Sequence, residues 1–172
     1  MTQQTFRFTK GKSPPPKRPR GPSLATARRE VMAHLDEGTT CPCCDQFCKE
    51  YKRKLNSGMA AGLVWLVREF LKDRDWINIP NRGPRFLLRT GGQFSVLAHW
   101  GLIVQKVNDD GDKRTSGLWK PTKKGVDFVL RKRTVPSHVY LYNNEVRGWE
   151  DAEIDIDTAL GNKFSYKELM NA

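Results

Sequence analysis

The stretch SGMAAGLVWLVREFLK, residues 57–72, constrains this chain more than any other. Ala60, Leu63, Val64, Val67, Phe70 and Leu71 recur three and four residues apart, so a helix through them carries one continuous apolar stripe. A stripe of that width must be covered. With 172 residues, 38% of them hydrophobic, the chain suffices for one ordinary domain with appendages. Everything else is expected to pack around this helix or hang from it.

The flanking segments read as short elements. Ser23 caps a helix over LATARREVMAHLDEG that stops at Gly38. Beyond the central helix, residues 75–80 alternate and end in proline, as a strand does. A short helix fits Pro84 to Arg89. Thr90 and Gln93 match a capping box that opens a helix over QFSVLAHW, closed by Gly101, with Phe94, Leu97 and Trp100 inward. Residues 102–107 form a strand, 108–117 a long polar turn, and 118–120 the returning strand; Thr122 caps a further helix. A second hairpin, 137–142 and 145–149, turns at Asn143-Asn144, and Ser165 caps a C-terminal helix. The expected class is α+β.

The segment HWGLIVQKVNDDGDKRTSGLWKPTKKG resembles the winged helix–turn–helix pattern of MarR-like bacterial and phage DNA-binding proteins. There a recognition helix ends in Gly-Leu-Ile, a basic wing follows, and a Thr-x-Lys-Gly helix comes after it. Here Gly101-Leu-Ile103, Asp112-Lys-Arg114 and Thr122-Lys-Lys-Gly125 stand in those places. The likeness covers residues 57–131 and does not extend to the long helices with which MarR-like repressors dimerise. It implies a winged helix over 57–131; composition and spacing set a basic arm over 1–22 and a helix and cysteine-rich segment over 23–56 before it, and a hairpin with an acidic helical extension over 132–172 after it. The resemblance further implies duplex DNA as partner and a regulatory role.

Charge points the same way. The net charge is +11. Residues 1–22 hold six Lys/Arg and no acid, and residues 145–172 carry a net −4, which leaves +9 for the middle. A basic body with an acidic tail suits a polyanion. Nucleic-acid contacts are expected from Lys17, Arg18 and Arg20 in the proline-rich arm, which is expected to be disordered, and from Arg85 and Arg89 near phosphates. Gln93, Ser95 and His99 are expected on the reading helix, with Lys113 and Arg114 at the wing tip. Structured RNA, read with help from Tyr140 and Tyr142, or an acidic host protein are the alternative partners. No phosphate loop, nucleophile elbow or His-Glu-x-x-His occurs, so the chain reads as a binding module rather than an enzyme. No apolar run spans a membrane and the N-terminus lacks the apolar core of a secretory signal. A reducing cytoplasm, the bacterial host's if the gene is a phage's, is the expected location.

All four cysteines lie in Cys41-Pro-Cys-Cys-Asp-Gln-Phe-Cys48. Cys41 and Cys44 form a C-x-x-C, and Cys48 would share a face with Cys44 if a helix began at Asp45. Structural zinc asks for four ligands. Those expected here are Cys41, Cys44, Cys48 and His34, with Cys43 as the alternative fourth. Free thiols, or thiolates favoured for redox chemistry by Lys49, Lys52, Arg53 and Lys54, are the other readings.

Overall fold

A computed structural model describes residues 21–89, 93–108, 111 and 115–171. The basic arm's Lys17, Arg18 and Arg20, the capping residue Thr90, and Lys113 and Arg114 of the wing lie outside the described residues. The architecture is mixed α+β, and the chain divides into two compact units after Lys49.

In the smaller unit, α1 (Leu24–Ala33) opens on Ser23, whose hydroxyl accepts from the Thr26 N–H at 3.2 Å. Ala27, Val31 and Leu35 are buried. A two-residue hairpin follows, β1 (Thr39–Thr40) against β2 (Phe47–Cys48), with Thr39 opposite Cys48. Its loop closes through Cys41 N–H to Gln46 O (2.8 Å) and Asp45 N–H to Cys41 O (2.9 Å). Asp45 takes φ +59°, which cannot begin a helix. The helix expected from Asp45 is thus replaced by a left-handed turn and a strand, and the helical alignment of Cys44 with Cys48 goes with it.

The larger unit is built on α2 (Ser57–Asp73), capped by Asn56, whose Oδ1 accepts from the Met59 N–H at 3.0 Å. The stripe is where its periodicity puts it: Ala60, Leu63, Val64 and Val67 are fully buried, and Phe70 and Leu71 pack against the core. Before α2 runs β3 (Tyr51–Lys54), a basic strand whose residues are all exposed. After it come β4 (Ile77–Asn78), α3 (Ile79–Arg82), α4 (Arg85–Leu88), an eight-residue 3-10 helix (Gln93–Trp100), β5 (Ile103–Gln105) and β6 (Leu118–Pro121). These strands form one antiparallel sheet in the order β4-β6-β5. Then follow α5 (Lys123–Val129), β7 (Val135–Pro136), β8 (His138–Tyr142), β9 (Glu145–Trp149), β10 (Glu153–Ile154), α6 (Ile156–Leu160) and α7 (Tyr166–Asn171). β3 pairs with β8, and β8 with β9, across a two-residue turn in which Asn143 and Asn144 both have positive φ. Glu168 N–H reaches the Ser165 hydroxyl at 3.3 Å, so Ser165 caps α7 as expected.

Two glycines let this packing happen. A Cβ on Gly62 would stand 2.8 Å from Leu87 Cδ1 and 3.0 Å from Phe94 Cδ2, so its absence admits α4 and the 3-10 helix onto α2. Gly125 allows the first turn of α5 to lie against the Leu102 carbonyl. Thr122 ties the same joint. Its hydroxyl donates to Gly101 O (2.6 Å) and accepts from Gly125 N–H (3.0 Å), while its own N–H donates to Leu102 O (3.0 Å). The Gly-Leu-Ile and Thr-x-x-Gly motifs are therefore two halves of one hydrogen-bonded corner.

Candidate nucleic-acid interface

The residues expected to read a ligand sit on the 3-10 helix, and its period decides what they can do together. In such a helix residues three apart eclipse one another. Phe94, Leu97 and Trp100 form one row, and all three are buried. Trp100 Nε1 donates to Pro136 O at 2.7 Å, and Phe94 meets Trp119 edge-on with ring centroids 6.0 Å apart. Gly101, at φ +66°, ends the helix. Gln93, Val96 and His99 make the second row, and Ser95 and Ala98 the third. The inward face is the expected one. The polar trio is divided: Gln93 and His99 share a row, and Ser95 stands on another.

Two grooves adjoin the outer rows, and Val96, His99 and Asn144 border both. Gln93, Val96 and His99 line one of about 670 Å³, whose other wall is Tyr51 to Lys54 of β3, with Asn56 and the Asn143-Asn144 turn. A second groove of about 840 Å³ runs past Ser95 and Ala98 to β5 and β6, with Leu87, Val104 and Trp119 on its walls.

The polar groups along the first groove are held in place. Asn56 Nδ2 donates to Gln93 Oε1 at 2.9 Å, so the Gln93 amide N–H groups are the ones left to project. His99 Nε2 pairs with Asn144 Oδ1 at 3.2 Å, tying the helix to the β8–β9 turn; the ring is half-buried. On β3 the cations differ in availability. Lys52 pairs with Glu150 and lies 5.4 Å from the Tyr140 ring centroid; the bond to Glu150 raises its pKa and lowers that of the carboxylate. Arg53 and Lys54 have no carboxylate partner among the described residues, and Arg53 lies over Tyr51 with 5.4 Å to the centroid. Across the strand, His138 has a depressed pKa, first from burial and then from Lys52 and Lys54. Tyr140 donates to Glu150 at 3.0 Å. Arg85 and Arg89 are exposed at the two ends of α4.

The basic strand β3 falls within the segment 23–56, where the sequence analysis expects no strand. Its signal was the run Tyr-Lys-Arg-Lys, which lacks the apolar alternation that marks a strand.

The cysteines present a different chemistry. All four are free. The backbone N–H groups of Cys43 and Cys44 are directed at the Cys41 sulfur and lower its pKa, while burial, ahead of repulsion from Cys41, raises that of Cys43. The Cys43 thiol meets Pro22 O at 3.6 Å, and that of Cys48 meets Gln46 O at 3.5 Å. His34 Nδ1 donates to Glu30 O at 2.9 Å. Among the described residues, no three His, Cys, Asp or Glu side chains are gathered as a ready ligand set. Likewise, no helix among them is long and apolar enough to cross a membrane.

No protein-family model, curated protein or solved structure matches this chain.

Proposed function

We propose that this chain binds duplex DNA through the 3-10 helix Gln93–Trp100, in a regulatory role of the bacterial or phage type. The observation that carries the reading is the placing of Gln93, Val96 and His99 across a groove from Arg53 and Lys54, which have no carboxylate partner among the described residues. The element order supports the reading: helix, strand, two short helices, reading helix and two strands, with the sheet in the order β4-β6-β5, fits the order expected from the winged-helix resemblance. The roles divide by chemistry. Arg53 and Lys54, and the wing cations Lys113 and Arg114, neutralise phosphates and fix register. Gln93, held at Oε1 by Asn56, offers its amide N–H groups to acceptors on base edges or phosphates. Ser95 and Ala98 are small enough to bring the helix close to the duplex.

Fluorescence anisotropy on labelled duplexes across a salt series tests this. Replacing Arg53 and Lys54 together by alanine should weaken binding to all sequences and flatten the salt slope by about 0.9 per lost contact. Gln93→Ala should leave the slope alone and cost about 1–3 kcal/mol on a preferred site if it reads a base. No affinity for duplex at low salt would refute the proposal and point to a protein or RNA partner.

A further inference from the structure

We infer that the outer edge of β9 pairs with β9 of a second copy of this chain, antiparallel and two-fold about Val146, joining two three-stranded sheets into one. The sheet β3-β8-β9 ends in two edges. A strand edge carries unpaired N–H and C=O groups; proteins blunt it with lysine, proline or a bulge, or use it to bind. The β3 edge is blunted, because Tyr51-Lys-Arg-Lys54 would set cation against cation in pairing with its own copy. In contrast, β9, Glu145-Val-Arg-Gly-Trp149, has neither lysine nor proline. Among the described residues it pairs with β8 alone, and a Cβ on Gly148 would meet nothing within 4 Å. Its bulge falls at Arg147, between the pairs Leu141–Val146 and Tyr140–Gly148, and leaves the first half of the strand regular.

The register follows from the hairpin. Tyr142 and Glu145 flank its two-residue turn, and the pair that closes such a turn exchanges both backbone bonds. Bonded and non-bonded pairs alternate, so Leu141–Val146 is non-bonded and Val146 turns its N–H and C=O outward. A two-fold seam centred there exchanges two bonds between Val146 and its copy. It also sets Glu145 of each copy opposite Arg147 of the other. Both side chains are exposed, and neither has an ion-pair partner among the described residues. Val146 and Trp149 stand opposite the buried Leu141 and Val139, and Trp149, 51% exposed, adds apolar area to that side of the seam. A seam centred on Arg147 would instead oppose two guanidinium groups. A strand of unrelated sequence would gain the backbone bonds without both charge pairs, which is why the occupant is a second copy.

Sedimentation equilibrium on the full chain, without DNA, tests the pairing separately from the DNA reading. The parent should dimerise. Glu145→Arg and Arg147→Glu each bring like charges face to face at two places, and each should weaken the dimer about tenfold, since two cross-strand pairs change sign at once. Both changes in one chain restore opposite pairs, and with them the dimer. The two single variants, mixed, should form a heterodimer tighter than either homodimer. Glu145 and Arg147 are exposed and unpaired, so the far-ultraviolet circular dichroism of each variant should match that of the parent. A parent that stays monomeric up to its solubility limit would overturn the proposal. So would a dimer indifferent to both single changes, or one that neither the double change nor the mixture restores.

Discussion

Gly125→Ala pits a local preference against a tertiary contact, and the structure decides the sign. Gly125 lies in the first turn of α5 and its φ is not positive, so alanine fits the backbone. On helix propensity alone the change should stabilise by about 1 kcal/mol. Yet the new Cβ would stand 2.1 Å from Leu102 O and 3.0 Å from Leu102 C, closer than real Cβ atoms come. The carbonyl has no room to yield, because Leu102 is fully buried, its N–H is bonded to Leu97 O, and its oxygen takes the Thr122 N–H. Pushing α5 away costs about 1–3 kcal/mol of overpacking. It also strains the bonds from Thr122 to Gly101 and Leu102, of which a single loss is worth about 1 kcal/mol. The net expectation is a destabilisation of about 1–3 kcal/mol, or roughly 2–12 °C in melting temperature for a chain of this size. Urea unfolding followed by tryptophan fluorescence measures it. Gly148→Ala serves as the control, since nothing lies within 4 Å of its added Cβ. A Gly125→Ala protein as stable as the parent would refute the close-packed corner, and with it the account of why Gly-Leu-Ile and Thr-x-x-Gly occur together.

Two further outcomes concern side-chain polar contacts. Glu69, 8% exposed, receives Lys72 (2.8 Å), Arg68 (3.1 Å) and Arg82 (3.0 Å), and the hydrogen bond from Lys72, ahead of that from Arg68, lowers its pKa. Its stabilisation is therefore complete above the ordinary glutamate value and lost as pH falls through the lowered one. Glu69→Gln should cost about 1–2 kcal/mol at pH 7, and the gap from the parent should close in acid; a pH-independent gap in urea unfolding would contradict this. Asn56→Ser should keep the cap of α2, with stability within about 0.5 kcal/mol, but release Gln93. Side-chain amide relaxation by nitrogen-15 NMR should then show a more mobile Gln93, and an unchanged amide would mean that the tether does not hold it.

How much of this was legible in advance varies by element, for reasons of range. The α2 stripe, the caps at Ser23, Thr122 and Ser165, and the positive-φ turn at Asn143-Asn144 are written within a few residues, and the structure has each of them. The 3-10 helix was half legible. Phe94, Leu97 and Trp100 are spaced by three, the 3-10 period, but a buried apolar row in an eight-residue segment also fits an α-helix. Anchors far along the chain accompany the tighter winding: Trp100 to Pro136 O, and Phe94 against Gly62 and Trp119. The cysteine segment misled because four-residue spacing suggested a helical face, where a left-handed Asp45 turns the chain back.

What the sequence determined by itself is therefore the central helix, the caps and turn that bound several of its neighbours, and the inward-facing row of the 3-10 helix. Hydrophobic periodicity and capping are local interactions, and a short window contains all their partners. The groove beside the 3-10 helix was decided only in three dimensions. Its basic wall, Tyr51–Lys54, is a strand by virtue of pairing with His138–Leu141, and its polar groups are set by Asn56 on Gln93, 37 residues away, and by Asn144 on His99, 45 away. Such partners leave no periodic trace, because each gains its energy from a neighbour that the chain supplies only once it has folded.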